Sequence, residues 1–300
     1  MRVLIVGGTG LVGGHAAIHL RQQGHDVSIM ARSAPTATDL QNIPFIAGNY
    51  IEDDVTDGRL EGFDALVFAA AQDIRQMPMD GSVTPDEFFQ RVNDHAVPRF
   101  FEAAKASGMR RAVYIGSFYP QIAPEQIDKS PYVHSRHVTD EAVRALSCDE
   151  FNVCSVNAPF ILGHLPGLDI PHIAGLVAYV SGHLPDLPLF APQGGTNHIS
   201  ARSVAQAVKG ALERGESAKA YLVGDVNMTW KEYLESWARA AGASTVLEVK
   251  EDDHPILPNV IMFAGAGALV SYEPDAAETA LLGYSRDQIA EEIRAVVASA

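Results

Sequence analysis

Three glycines with the spacing Gly7-x-x-Gly10-x-x-Gly13 follow directly on the run Val3-Leu4-Ile5-Val6. Such a spacing can bind an anion without a charged side chain. Gly7 lets the chain reverse, Gly10 leaves no Cβ where a phosphate bridge must approach, and Gly13 lets the next helix pack closely on the strand. The N–H groups at that helix start, around Thr9, Leu11 and Val12, favour a negative group. Four aliphatic residues without polar alternation read as a parallel strand buried on both faces. A helix over 11–23, closed at Gly24, and a second strand over 26–30 complete a unit of about 30 residues. The combination predicts a dinucleotide pyrophosphate at the turn; the plain alternative is a tight turn that binds nothing. Further on, Tyr132 and Arg136 stand four apart behind Ser130-Pro131, a serine cap and a proline at the first helical position. Both side chains therefore project from one helix face.

The elements that must carry these residues follow in order. Short strands are expected at 43–47, 65–71, 111–117 and 152–158, alternating with helical stretches, the longest over 85–107. That alternation predicts an α/β fold, a doubly wound parallel sheet of Rossmann type with a smaller, mostly helical carboxyl-terminal substrate-binding part. Residues 1–163 and about 196–228 belong to the dinucleotide-binding domain on this reading. About 164–195, proline-rich with an apolar helix over 170–181, and 229–300 form the substrate-binding or lid part. Residues 72–84 read as an irregular substrate-side insertion, and Glu52, Asp53 and Asp54 as a solvated helix start. Thr229-Trp230-Lys231-Glu232 and Ser285-Arg286-Asp287-Gln288 both carry a helix-opening signature.

The glycine spacing resembles that of the short-chain dehydrogenase/reductase superfamily, and Gly-Gly-Thr-Gly at 7–10 looks most like its extended and atypical branches, the NAD-dependent epimerase/dehydratase-like enzymes. The passage 210–247 resembles the branch of dihydroflavonol reductases and 3β-hydroxysteroid dehydrogenases, so the likeness covers most of the chain. It implies cofactor contacts along the carboxyl edge of the sheet. Asn49 stands where the family often has an aspartate on the adenine amino group, followed by Tyr50. Ala69, Ala70 and Ala71 form the small-residue turn laid against the cofactor. Pro159, Phe160 and Ile161 resemble the segment beside the nicotinamide, although Ala158 replaces the usual arginine. Asn93 is implied as a structural residue near the active site, bonding backbone and ordering water. After the second strand, where an acidic residue would bind the ribose hydroxyls of NAD, the chain has Arg32-Ser33. A guanidinium beside a hydroxyl suits a 2′-phosphate, which favours NADP, with NAD the alternative. A solvated surface arginine is the bland reading.

The resemblance also implies the chemistry. The family moves a hydride between nicotinamide and a carbonyl or alcohol carbon, with a tyrosine handling the oxygen's proton, a serine bonding that oxygen and a lysine assisting. By position these roles fall to Ser117, Tyr132 and Arg136. Tyr-x-x-x-Arg instead of Tyr-x-x-x-Lys keeps the charge that acidifies a phenol and has donors for the ribose. It loses a dissociable proton, because arginine stays protonated. His134 and His137 flank the pair, either a substitute proton carrier or surface histidines. Three functions compete: an NADP-dependent oxidoreductase, a cofactor-binding protein without redox chemistry (a sensor or assembly partner), and an epimerase or dehydratase with tightly bound NAD(P).

Bulk composition narrows the partners. A net charge of −15 over 300 residues argues against nucleic acid and anionic lipid. Cys148 and Cys154 suit neither a disulfide framework nor a metal site, and no metal is expected. The apolar run 260–270 is too short to span a bilayer, and a strand beginning at residue 2 leaves no room for a signal peptide, so the expectation is cytoplasmic. The apolar stretches 170–180, 184–190 and 256–270 predict an apolar or aromatic small-molecule substrate. A nucleotide sugar would want arginines, and 164–195 contains none. Core packing or a subunit contact accounts for the same stretches equally well. The resemblance allows a homodimer through a helical face.

Overall fold

A computed structural model describes residues 1–78 and 80–299 of the chain. Its strands are β1 (Arg2–Val6), β2 (Asp26–Ala31), β3 (Phe45–Ala47), β4 (Ala65–Phe68), β5 (Arg111–Ser117), β6 (Asn152–Ala158), β7 (Phe160–Leu162), β8 (Ala191–Pro192), β9 (Gly195–Ser200), β10 (Ala220–Leu222), β11 (Val226–Thr229) and β12 (Val249–Lys250). Seven make one sheet in the order β10-β6-β5-β4-β1-β2-β3, with every neighbouring pair parallel. Successive side chains of a strand face opposite ways. Val3 and Ile5 of β1 accordingly join one apolar layer and Leu4 and Val6 the other.

The helices are α1 (Leu11–Gln22), α2 (Pro85–Phe89), α3 (Ala96–Ala106), α4 (Tyr119–Ile122), α5 (Pro131–Ala145), α6 (Pro171–Val180), α7 (Ala201–Arg214), α8 (Trp230–Ala240), α9 (Ala276–Leu282) and α10 (Ile289–Ser299). Helices α1 and α7 supply Ala17, Leu20, Val204 and Val208 to the first layer. Helices α3 and α5 supply Phe100, Phe101 and Val143 to the second, against Phe68 and Tyr114. Strand order turns back between β1 and β4, and this is where ligands collect in such sheets. The chain after β1 and the chain after β4 touch there: Ala69 N donates to Val6 O at 2.8 Å.

The long helical passage forms, but not as one α-helix. Between α2 and α3, residues Gln90–His95 wind as a π-helix, a local widening frequent at functional sites. Other expectations are corrected as well. Residues 52–54 make a turn rather than a helix start, because Asp53 is engaged by Asn49 N at 2.9 Å and Arg59 at 2.6 Å. Strand β4 stops at Phe68 and β3 begins at Phe45. The Ser285 signature does not cap a helix; α10 starts at Ile289, and the Asp225 carboxylate accepts from Asp287 N at 2.5 Å and Gln288 N at 3.0 Å. Finally, a second small sheet, β11-β9-β7, lies beyond the first, where no strand is expected from the residues. The Thr229 capping box does form and opens α8.

The apolar stretches after residue 164 close a third core. Ile173, Leu176, Tyr179 and Val180 of α6 pack with Trp230, Tyr233 and Trp237 of α8 and with Leu257 and Met262. Much of the surface expected to meet a substrate is therefore spent on the protein's own interior.

Candidate functional site

The glycine turn separates into residues the fold itself requires and one it does not. Gly7 has φ +80°, and a Cβ there would lie 2.8 Å from the Ala69 backbone. A Cβ on Gly13 would meet Gly7 O at 2.3 Å. At Gly10 an added Cβ would meet only Gly7 O, at 3.5 Å, an ordinary contact with open space beyond. Gly10 is also the N-cap of α1, with no side chain capping it and no acidic residue in the first turn. Free donors and open space at one helix start fit an incoming phosphate. Thr9, Leu11 and Val12 are half-buried around it.

Arg32 and Ser33 are exposed just past β2, and Arg32 makes no hydrogen bond or ion pair among the described residues. Asn49 is half-buried, and its Oδ1 accepts from Ile51 N at 3.1 Å, shaping its own loop and leaving one lone pair free. Tyr50 is buried edge-on to Phe68 at 5.1 Å, its hydroxyl without a partner among the described residues, and burial pushes the phenol's pKa up. Ala69, Ala70 and Ala71 are half-buried and run straight into Gln72. Asn93, in the π-helical turn, holds that residue at both ends: its Oδ1 accepts from Gln72 N at 2.9 Å and its Nδ2 donates to Gln72 O at 3.0 Å. A structural role bonding backbone is what the structure gives it.

Helix α5 opens with Ser130 Oγ accepting from Val133 N, then Pro131, and presents Tyr132 and Arg136 inward. Arg136 is 6% exposed. Its Nη2 donates to Ile115 O at 2.8 Å, and its guanidinium carbon lies 5.2 Å from the Tyr114 ring centre and 5.9 Å from that of Tyr132. Burial works against its charge, but Tyr114, Tyr132, Asp73 and Asp140 outweigh it, and the guanidinium stays protonated. Ser117, at the end of β5 and 5% exposed, accepts from Tyr119 N at 3.4 Å. Among the described residues no hydrogen bond joins its hydroxyl to Tyr132. His134 is exposed and His137 lies 3.5 Å from Glu141, so neither histidine attends the pair.

Aromatic residues enclose Tyr132. The Phe263 ring lies face to face with it, centroids 3.9 Å apart at 22°, and Phe89 meets it edge-on at 5.8 Å. Phe263 also touches Tyr119 at 5.6 Å. The 256–270 stretch had an apolar signal, but nothing marked this one residue; Tyr114, beneath Arg136, had no signal beyond strand membership. In the insertion after β4, where Met79 lies outside the described residues, Ile74 and Met77 pack into the cluster of Phe88, Phe89 and Tyr132. Arg75 is held by Asp73 on both its Nε and Nη2. Burial pulls the Asp73 carboxyl up, yet the Arg75 guanidinium outweighs it and keeps it below the ordinary range. Pro159 is buried after β6, Ile161 packs on the sheet, and Phe160 turns to Trp230 at 5.5 Å and Tyr233 at 5.8 Å, into the third core. Among the described residues no group of three or more His, Cys, Asp or Glu side chains could hold a metal, and no helix is long and apolar enough to cross a membrane.

Comparison with known proteins places this arrangement. A 3β-hydroxysteroid dehydrogenase/Δ5→4-isomerase of Mycobacterium tuberculosis is 29% identical over 119 residues, 39% of this chain and 31% of that protein, so the match spans about a third of the relative's length. A UDP-glucose-4-epimerase from Stenotrophomonas maltophila, solved with NAD and formylated UDP-arabinopyranose, superposes with a TM-score of 0.78 at 16% identity, over all of this chain and 97% of that one. The Bordetella bronchiseptica enzyme WbmH, solved with NAD+, gives 0.73 at 17% identity over 99% and 97%. At such identities the two solved structures speak for the fold alone. The model of the NAD-dependent epimerase/dehydratase family, however, matches residues 3–224, from β1 through the glycine turn and α5 to the end of β10. With that span covered, the chain belongs to the NAD-dependent epimerase/dehydratase family, within the extended short-chain dehydrogenases/reductases.

Proposed function

We propose that this chain is an NADP-dependent oxidoreductase acting on a carbonyl or alcohol of a small substrate with an aromatic or apolar body. The observation that carries the reading is the buried guanidinium of Arg136 set against the Tyr132 ring, on the strand edge where Ser117 ends β5. The residues present fit a dinucleotide: an open side at Gly10, a helix start with no side-chain cap and an Arg32 without a partner among the described residues, which suits a 2′-phosphate. A nicotinamide bound there supplies or accepts the hydride. Tyr132 gives its hydroxyl proton to the carbonyl oxygen, and takes it back in the reverse direction. Ser117 holds that oxygen by a hydrogen bond. Arg136 stabilises the phenolate but passes no proton, so Tyr132 regains its proton from solvent. Phe263 and Tyr119 supply aromatic walls, which favours a substrate with a ring or alkyl body over a charged one.

The test follows NADPH absorbance with a panel of aldehydes and ketones. Wild-type turnover should fall at least about 100-fold in Tyr132→Phe with NADPH binding retained. Arg32→Ala should cut the preference for NADPH over NADH about 10-fold, the worth of one good charged contact. Uptake of cofactor without turnover of any carbonyl would favour a binding protein instead. Conversion of a sugar substrate with no net NADPH change would favour an epimerase.

A further inference from the structure

The hydroxyl of Tyr132 has no hydrogen-bond partner among the described residues, and the neighbouring guanidinium spends its Nη2 on Ile115 O. What fixes the phenol is contact between rings. Phe263 covers one face at 3.9 Å and 22°, Phe89 presents an edge at 5.8 Å, and Arg136 stands 5.9 Å from the ring centre. Phe263 is seated in turn: it touches Tyr119 at 5.6 Å and shares an apolar cluster with Phe118, Val133 and Tyr272. Its loop is pinned on both sides. A short 3-10 turn, Asn259–Ile261, precedes it, and Gly265 at φ +101° follows, with Gly265 N donating to Met262 O at 2.8 Å. Offset or edge-on ring pairs are the ordinary case, so a nearly parallel pair this close constrains the tilt of both rings.

We propose that Phe263 is the positioning residue for Tyr132, holding the phenol at the angle where its hydroxyl meets the substrate oxygen. The carboxyl-terminal part thereby sets the geometry of a proton donor carried by α5. The kinetic half of the test rests on the oxidoreductase reading; the structural half does not. Tyrosine is labelled with 13C in the ring, and the Tyr132 resonance is identified by its loss in Tyr132→Phe. In Phe263→Leu, which keeps apolar bulk without an aromatic face, that resonance should move downfield as ring-current shielding is removed. The same variant should lose kcat by roughly 10- to 100-fold, as expected for a misplaced reacting group, with KM for NADPH unchanged. Phe263→Tyr, which adds only a hydroxyl at the ring's far end, should restore kcat. An unmoved Tyr132 resonance in a folded Phe263→Leu protein overturns the proposal, and so does full kcat in that variant. If wild type turns over no carbonyl, the oxidoreductase reading falls and the resonance alone decides the ring clamp.

Discussion

Gly10 and Gly13 stand three residues apart in one turn, and an alanine at each meets a different obstacle. At Gly13 the new methyl would sit 2.3 Å from Gly7 O, a collision with backbone. Gly13→Ala should therefore lower stability by about 1–3 kcal/mol or more, read by urea unfolding. At Gly10, φ is −86° and the methyl meets only one atom at 3.5 Å. Gly10→Ala should stay within about 0.5 kcal/mol of wild type yet bind NADPH at least about 10-fold more weakly by calorimetry. Equal effects at the two positions would remove the phosphate from the turn. The glycines were readable because their spacing is local. Tyr132 and Arg136 were readable for the same reason, one helical turn apart. Phe263 was not, since its contact with Tyr132 exists only once the carboxyl-terminal loop has folded back over α5.

Among elements, the start of α10 shows how a distant group overrides a nearby signal. Ser285 and Gln288 have the spacing of a capping box, but Ser285 N is taken by Gln206 Oε1 at 2.8 Å and the Asp225 carboxylate serves Asp287 and Gln288. Asp225→Ala leaves those two donors without their acceptor and should cost about 1–2 kcal/mol in urea unfolding, Asp225→Asn less, because one oxygen remains. The same contrast runs through the fold. Strands β1, from Val3 on, and β4 declared themselves as unbroken apolar runs, as strands covered on both faces do. Strand β9, Gly-Thr-Asn-His-Ile-Ser, reads as a loop by composition yet is buried throughout. Its Asn197 is bonded by other segments: Nδ2 donates to Asn227 Oδ1 at 2.8 Å and to Tyr272 O at 3.2 Å. No local pattern encodes partners so far away in sequence.

For the molecule as a whole, one buried base links stability to pH. His198 of β9 is fully buried, stacked on Tyr233 at 4.7 Å, and burial pushes its pKa down to about 4 from 6.5. Between those values the unfolded chain binds a proton that the folded chain refuses. Its contribution is thus whole above about pH 6.5 and is lost as pH falls toward about 4. Unfolding at pH 7.5 and pH 5 should differ by about 2 kcal/mol from this group, and His198→Gln should remove that difference. The sheet has a further consequence for biosynthesis. Strand β6 ends at Ala158, but its outer neighbour β10 begins only at Ala220, after α6, β9 and α7 have been made. A chain emerging from the ribosome thus carries β6, Asn-Val-Cys-Ser-Val-Asn-Ala, as an uncharged open edge for the whole of that interval. Until residue 222 is out, the fold itself leaves that edge unpaired and open to self-association.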